Sequence, residues 1–486
     1  MASLTETPSN RASGQTDFIL IKAATIITVN FEEDILEDCD ILIQGDRIVA
    51  FGKNLSQPEG LTGEIIDGTD SIVIPGFVDG HHHMWQQMLR GVATDWSLLD
   101  YMINMRSVYG SLFTPEDVYL STYVGALSLL NNGITTVLDH CHIINSPDHA
   151  DAAVRALKDA GIRGTFCYGF YANPPSDDSG ASSANADFSH AERLADAARI
   201  RDKYFGDNHP GRQLLTFGIA PNEVEAQEFE DTAREIAEAR DLGARIVTMH
   251  VAHGPMDLLH KRTVQKLAEA GALHSDLVFA HGASLTDSEI REICISGAGV
   301  VSTPDTELQM GMGFPVAFRA SDGGCRAGLG IDITSNQGND FIAQMRLALQ
   351  TQRAMENEKR VPLTVSRKTS EILRMATIGG AEVMRIDDLV GCLVAGMKAD
   401  VVMIKCNDIE SSPVASATGA VVFNASVGHI DTVIVDGQVR KRNGKLVADW
   451  EPLRDELRHR AAAIKAEAAG HDLEAARERW MSAVEL

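Results

Sequence analysis

Eight short apolar runs, each followed by a stretch with helical character, constrain this chain more than any other feature. The runs are SIVIPGFVD (71–79), GITTVLD (133–139), IRGTFCYG (162–169), LLTFGIA (214–220), ARIVTMHV (244–251), DLVFAH (276–281), AGVVST (298–303) and AGLGID (327–332). Between them lie segments such as TPEDVYLSTYVGALSLL, HADAAVRALKDA, EFEDTAREIAEARDL and DSEIREICIS. Short continuous apolar runs suit strands covered on both faces, and eight strand-then-helix units are the count of a closed (β/α)8 barrel. A doubly wound sheet uses the same alternation but needs fewer strands or a second domain. The expectation is an α/β fold with a TIM-like barrel over residues 73–385.

The two ends of the chain read differently from its middle. FILIKAATIITV, from Phe18, and DILIQGDRIVAFG are strand-like, with a turn at Gly45-Asp46. The pattern returns in ADVVMIK (399–405) and HIDTVIVDGQVRKRNGKLV (429–447), the latter broken by Asp436-Gly437 and Asn443-Gly444. These runs predict one small β-sandwich domain assembled from residues 17–72 and 386–447. Residues 1–16, rich in Ser, Thr, Asn and Gly, are expected to be disordered. NPPSDDSGASSANADFSH (173–190) reads as a long polar surface loop after the third run. The Ala- and charge-rich tail, 448–486, reads as helix, free to pack on the barrel or on another subunit.

Composition narrows the function classes. With 44% hydrophobic residues, 486 residues can bury a full core. The balance of 68 acidic against 43 basic residues, a net charge of −25, argues against nucleic acid or an anionic membrane as the main partner. No apolar run reaches about 18 residues, so no spanning helix is expected. MASLTETPSNRASGQTD lacks an apolar signal-peptide core. The seven cysteines (39, 141, 167, 294, 325, 392, 406) are scattered and without CxxC spacing, which suits free thiols. A soluble cytoplasmic protein is the expectation.

In a barrel, catalytic side chains sit where strands end and loops begin. The first run ends in Asp79-Gly80-His81-His82-His83. Side chains alternate along a strand, so His81 and His83 point together into the barrel mouth while His82 points away. A lone HxH is a weak signal, since histidine clusters are common on surfaces. Yet the fifth run ends in His250, the sixth in His281 and the eighth in Asp332. Each alone is an ordinary polar residue at a strand end; all of them together describe a site. Three neutral imidazoles and a carboxylate suit zinc, or alternatively iron or manganese, with a position left open for water.

The segments PGFVDGHHH (75–83), NNGITTV (131–137), VTMHVAH (247–253), LVFAHGASLTDSEI (277–290), GLGID (328–332) and TIGGAEVMRIDDLVGCLVAGMKADVVMI (377–404) resemble the amidohydrolase superfamily. They look most like its triazine hydrolase, guanine deaminase and cytosine deaminase branch. The resemblance covers nearly the whole chain from about Phe18 to Val447. It implies a metal-dependent barrel with a β-sandwich built from both chain ends, and one metal held by His81, His83, His250 and Asp332. His281 would then hydrogen-bond the water or substrate. No lysine ends the fourth run (Ile219-Ala220-Pro221-Asn222), so a two-metal site on a carbamylated lysine is not expected.

Two departures bear on the chemistry. In the deaminase branch a glutamate follows the fifth-run histidine by three residues and shuttles a proton; here that position is His253. In STPDTELQMGMG (302–313), Glu307 stands where the family often has asparagine. One expectation is that Glu307 replaces the missing carboxylate, as proton shuttle or as partner of His253; the other is that it binds a polar substrate group or caps a loop. Trp85, Gln86 and His140 are candidate substrate contacts, an aromatic face and an amide suiting a planar polar ring. Met310 and Met312 are candidates for a pocket wall.

The leading reading is a mononuclear metal-dependent hydrolase attacking a carbon–nitrogen or related bond of a small heterocyclic or aryl compound, by deamination, amide hydrolysis or dechlorination. Asp332 takes the proton of the attacking water, His281 stabilises developing charge, and His253 or Glu307 protonates the leaving group. The alternative is a non-hydrolytic metalloenzyme on the same barrel, a decarboxylase, hydratase/dehydratase or iron oxygenase, with His253 as an extra ligand. A small-molecule substrate and a homo-oligomer complete the expectations.

Overall fold

The structure, a computed structural model, describes residues 17–30, 35–173, 188–257, 259–358, 363–471 and 473–483. The expected disorder of residues 1–16 and the surface loop over 174–187 fall outside the described residues.

The chain opens with five strands, β1 (Phe18–Ile27), β2 (Ile35–Gln44), β3 (Arg47–Gly52), β4 (Gly63–Asp67) and β5 (Ser71–Pro75). Eight barrel strands follow: β6 (Phe77–His82), β7 (Ile134–Cys141), β8 (Arg163–Gly169), β9 (Leu215–Ala220), β10 (Val247–Val251), β11 (Leu277–His281), β12 (Gly299–Ser302) and β13 (Arg326–Leu329). Four more, β14 (Val401–Lys405), β15 (Ile430–Val435), β16 (Gln438–Arg442) and β17 (Lys445–Leu446), return to the first group. β6 to β13 close into a parallel barrel, and the other nine form one sheet in the order β17-β16-β15-β14-β5-β1-β2-β3, with β4 beside β1. Most of its pairs are antiparallel; β1 pairs with β4 and β5 in parallel. Sheet and barrel are those read from the sequence. The run 71–79 proves to be two strands: Gly76 hands the chain from sheet to barrel, with its N–H on the Asp400 carbonyl at 3.0 Å. A Cβ at Gly76 would lie 2.0 Å from Thr135 Oγ1, so only glycine fits this crossing.

Strand alternation explains how the sheet serves two cores. Val73, Val401 and Met403 point into a core of the sheet's own, with Ile19, Ile41 and Ile434. Their neighbours Ile72, Ile74, Val402 and Ile404 point the other way, into the core continuous with the barrel. Across that junction runs a buried ion pair. Arg163, the first residue of β8, donates from Nε and Nη2 to Asp400 at 2.8 and 3.0 Å, and from Nη2 to Asp436 at 2.7 Å. The N-terminal end of the barrel is thereby fixed to the sheet, which leaves the C-terminal end for loops.

The outer helices begin where the sequence supplies caps. Thr114 and Asp117 form a reciprocal capping box on the helix Pro115–Asn131, as Thr286 and Glu289 do on Asp287–Ser296. The tail forms two helices, Glu451–Ala468 and Leu473–Ala483. Arg460 of the first reaches Asp117 at 3.0 Å and Ile464 is buried, so the tail packs on this chain's own barrel. The second packs against the helical segment Met102–Tyr109, which follows β6. Among the described residues, no helix is long and apolar enough to cross a membrane.

Candidate metal centre

His81 and His83 sit at the end of β6 and just beyond it, two residues apart and facing the same way. His82 turns away and donates from Nδ1 to Asp79 Oδ2 at 2.8 Å. Asp79 Oδ1 also accepts from the amides of His81 and Ile331, so one buried carboxylate shapes the turns on both sides of the mouth. The turn after β13 brings Asp332 across: its N–H reaches the His81 carbonyl at 2.9 Å and its carbonyl accepts from His83 at 2.8 Å. At Gly330 a Cβ would meet the His81 carbonyl oxygen at 2.7 Å, so glycine is what lets this turn close. His281 and Asp332 both carry left-handed backbone, with φ of 71° and 73°. Such non-glycine positions cost on the order of 1 kcal/mol or more each and gather where function over-rules local preference.

The donor atoms converge. His81 Nε2 and His83 Nε2 each lie 3.3 Å from Asp332 Oδ1, and His250 Nε2 lies 3.3 Å from His83 Nε2. His83 Nδ1 donates to the His140 carbonyl at 2.7 Å, and His250 Nδ1 to Glu223 Oε2 at 3.1 Å. With those protons on Nδ1, both Nε2 atoms present lone pairs to each other, an arrangement that repels unless a cation lies between them. Both nitrogens of His81 are buried without any hydrogen-bond partner. Burial pushes His81 down to about 3 and His250 well below the ordinary histidine range, so both are neutral donors. Burial opposes the charge of Asp332, but the His81 and His83 imidazoles, each 3.3 Å from Oδ1, overcome it and hold that carboxyl well below its usual range. Ligands at about 2.0–2.1 Å from a tetrahedral zinc are themselves about 3.3 Å apart, so this donor set fits such an ion.

The remaining candidates fall into two groups. His253 and His281 line a cavity beside the donors, with His142, Met310 and Met312. Burial lowers His253 to about 4. His253 belongs to neither set of potential ligands found among the described residues, His81 with His250 and His281, and His81 with His83 and Asp332. The reading that made it an extra ligand loses its support.

Glu307, Trp85, Gln86 and His140 are buried beside the residues that line the cavity and are not among them. Glu307, in the helix Pro304–Gln309, accepts from the Thr303 amide at 2.7 Å, the loop-capping alternative of the sequence reading, and lies 3.7 Å from His281 Nδ1. Trp85 and Gln86 are drawn inward by the tight helical turn Met84–Leu89. Trp85 Nε1 donates to His142 at 3.0 Å, and Gln86 is spent on Tyr101 and Ser335, each at 2.6 Å. His140 stacks on His250 with ring centroids 4.4 Å apart and shares a 3.1 Å hydrogen bond with Tyr171.

Two cavity residues escaped the sequence reading. Glu223, three residues beyond β9, orients His250 through Oε2 while its Oε1 is buried without a partner. Arg106, in the segment Met102–Tyr109, lines the same space with Tyr101. The only sequence signal for Glu223 is a pair of acids, Glu223 and Glu225, directly after the fourth run, which ends without a ligand.

A closed (β/α)8 barrel with three imidazoles and a carboxylate gathered at its C-terminal rim defines the class of metal-dependent hydrolases. The chain belongs to the amidohydrolase family, whose model matches residues 72–440. It is 26% identical over 419 residues to a 5-methylthioadenosine/S-adenosylhomocysteine deaminase of Pyrococcus abyssi, covering 85% of this chain and 91% of that one. The deaminase of the same name from Desulfitobacterium hafniense is 27% identical over 455 residues, covering 92% and 98%. Among solved structures, an atrazine chlorohydrolase from Arthrobacter aurescens complexed with zinc matches with a TM-score of 0.74 and 25% identity, covering 93% of this chain and all of the other. An adenosine deaminase from Xanthomonas campestris with bound zinc shares the fold, with a TM-score of 0.81 at 22% identity over 92% of this chain and 98% of its own.

Proposed function

We propose that this protein hydrolyses the bond between a ring carbon of a small planar heterocycle and an amino or chloro substituent, with one zinc ion held by His81, His83, His250 and Asp332. The observation that carries this reading is the facing pair of Nε2 lone pairs at 3.3 Å, with Asp332 Oδ1 at the same spacing from His81 and His83. The names of the relatives, deaminases of adenosine derivatives and a chlorohydrolase of a triazine, supply the substrate class.

A divalent cation in this donor set would supply a water acidic enough to ionise near neutral pH. Asp332 accepts the proton of that water as it attacks, the role of a general base at the rim. His281 points Nε2 toward the cavity because its Nδ1 is held on Thr303 at 3.0 Å, and it steadies the oxygen that gains charge. Glu223, with one oxygen on His250 and the other free in the cavity, replaces Glu307 as the carboxylate that passes a proton to the ring or the leaving group. His253, neutral and adjacent, accepts hydrogen bonds from the substituent. The buried aromatic and methionine walls around the donors exclude bulk water.

The seven unpaired cysteines support a cytosolic location. Homo-oligomerisation, expected from relatives, is checked by light scattering.

The test is metal analysis of the purified protein followed by ammonia release from adenosine, 5′-methylthioadenosine and S-adenosylhomocysteine, and chloride release from atrazine. One equivalent of zinc and turnover of one of these ring compounds are expected. Release of neither ammonia nor chloride by fully metal-loaded protein, over a wider panel of amino- and chloro-heterocycles, overturns the proposal.

A further inference from the structure

Among the described residues Arg106 is a buried cation with no ion-pair partner, its charge being felt by buried Glu223 on the same cavity wall. It is 7% exposed, and of its three guanidinium nitrogens only Nη2 has a protein partner among the described residues, Asn173 Oδ1 at 3.0 Å. Nε is buried with no partner. The Tyr171 ring lies 4.7 Å from Cζ and supplies a cation–π contact, not a counter-charge. No carboxylate among the described residues forms an ion pair with it; Glu223, on the same cavity wall, is engaged with His250. A guanidinium keeps its charge in proteins, and leaving one buried and unpaired is costly.

The surroundings hold this group rigidly. Asn173 donates to the His142 carbonyl and to Asn145 Oδ1, each at 2.9 Å, and Asn145 donates to the Gly110 carbonyl at 2.8 Å. Asn173, after β8, thus holds the guanidinium at the wall of the cavity that the metal donors share, and is itself held by His142 and Asn145 after β7, with Asn145 tied to the Gly110 carbonyl after β6. Arg106 and the donors His83, His250 and Asp332 line that one pocket.

We infer that Arg106 is the counter-ion for a carboxylate carried by the ligand, so that the enzyme selects anionic heterocycles over neutral ones. The inference rests on the hydrolase reading only in calling that ligand a substrate. The planar fork of Nε and Nη matches a carboxylate in two parallel hydrogen bonds, which a lysine cannot reproduce. The carboxylate takes the place that an acidic side chain occupies beside other buried arginines, with Tyr171 and Asn173 holding the fork in register.

The test is calorimetric titration of the zinc-loaded full-length protein with nicotinate and with nicotinamide, rings of the same size that differ in charge. Nicotinate is expected to bind at least about tenfold more tightly, consistent with a charge-assisted pair. Arg106→Met should bring that ratio close to one, and Arg106→Lys should retain only part of it. An unchanged ratio in Arg106→Met places the carboxylate on the metal or elsewhere and overturns the inference, as does failure of the wild-type protein to discriminate or to bind either probe. If Arg106→Met does not fold, Arg106→Lys decides: a ratio equal to that of the wild type overturns the inference. Binding requires no turnover, so the two proposals fail separately. Charge discrimination without hydrolysis of any heterocycle overturns the function and keeps the subsite, whereas hydrolysis without discrimination does the reverse.

Discussion

The two ends of one barrel handle buried charge in opposite ways. At the N-terminal end, Arg163 is saturated by Asp400 and Asp436, and Lys398 joins Asp436 at 3.0 Å. At the C-terminal end, His81, Glu223 and Arg106 keep buried polar atoms without partners, and His281 and Asp332 carry strained backbone. Satisfied charge joins sheet to barrel; the unsatisfied polar atoms at the other end are what the proposed metal and ligand would satisfy.

The contrast predicts that substitutions at the rim remove activity and those at the opposite end remove stability. The largest effect is expected from Asp332→Asn, which should lower kcat/KM by about a thousandfold or more and reduce bound metal, with little loss of thermal stability. A fall in melting temperature as large as that of an Arg163 variant would erase the distinction between the two ends. Arg163→Met leaves Asp400 buried without its cation, while Asp436 keeps Lys398, and should cost about 3–5 kcal/mol in chemical denaturation, with kcat of the folded fraction unchanged.

Within the rim, Glu223→Gln is expected to reduce kcat about a hundredfold, whereas Glu307→Gln, acting only through His281, should cost less than about tenfold. The opposite order would return the proton-transfer role to Glu307. Glu225, on the loop beyond Glu223, tests how charge is tolerated just outside the cavity. Burial, reinforced by the nearby Asp257 carboxylate, raises it from 4.5 to about 7. Its favourable contribution is complete below the unfolded value and lost as pH rises through about 7, because the folded protein then has to bury a charge. Glu225→Gln should therefore gain on the wild type by about 2 kcal/mol between pH 4 and pH 8, measured by denaturation at both. The smallest effect is expected from Trp85→Phe, a loss of about 1 kcal/mol for the hydrogen bond to His142, with KM unmoved because the ring does not line the cavity.

The strand count and the convergence of His81, His83, His250 and Asp332 were legible in the sequence for the same reason. Side chains at strand ends have a defined direction, so His81 and His83 at spacing two, and His250 and Asp332 at the ends of other runs, point to one place once the barrel closes. Glu307, Trp85 and Gln86 are harder to place from sequence because helices follow those strand ends. A single turn, Met84–Leu89 or Pro304–Gln309, rotates successive side chains by about 100°, so proximity to a ligand in sequence says little about facing the cavity. Glu223 and Arg106 were overlooked because neither lies at a strand end: one is in an irregular loop, the other in a helical segment between apolar residues.

What the polypeptide determines by itself is periodic and local: eight parallel strands, caps that start the helices, a sheet joined from both termini, and donors carried on strand ends. What only tertiary structure decided is which charges meet. Glu223 reaches His250 from the neighbouring strand's loop, Asn173 fixes Arg106 from two loops away, and Arg163 finds Asp400 across 237 positions of chain. Those pairings depend on how non-repeating loops and distant segments pack, and burial makes each of them far stronger, or far more costly to leave open, than it would be in water.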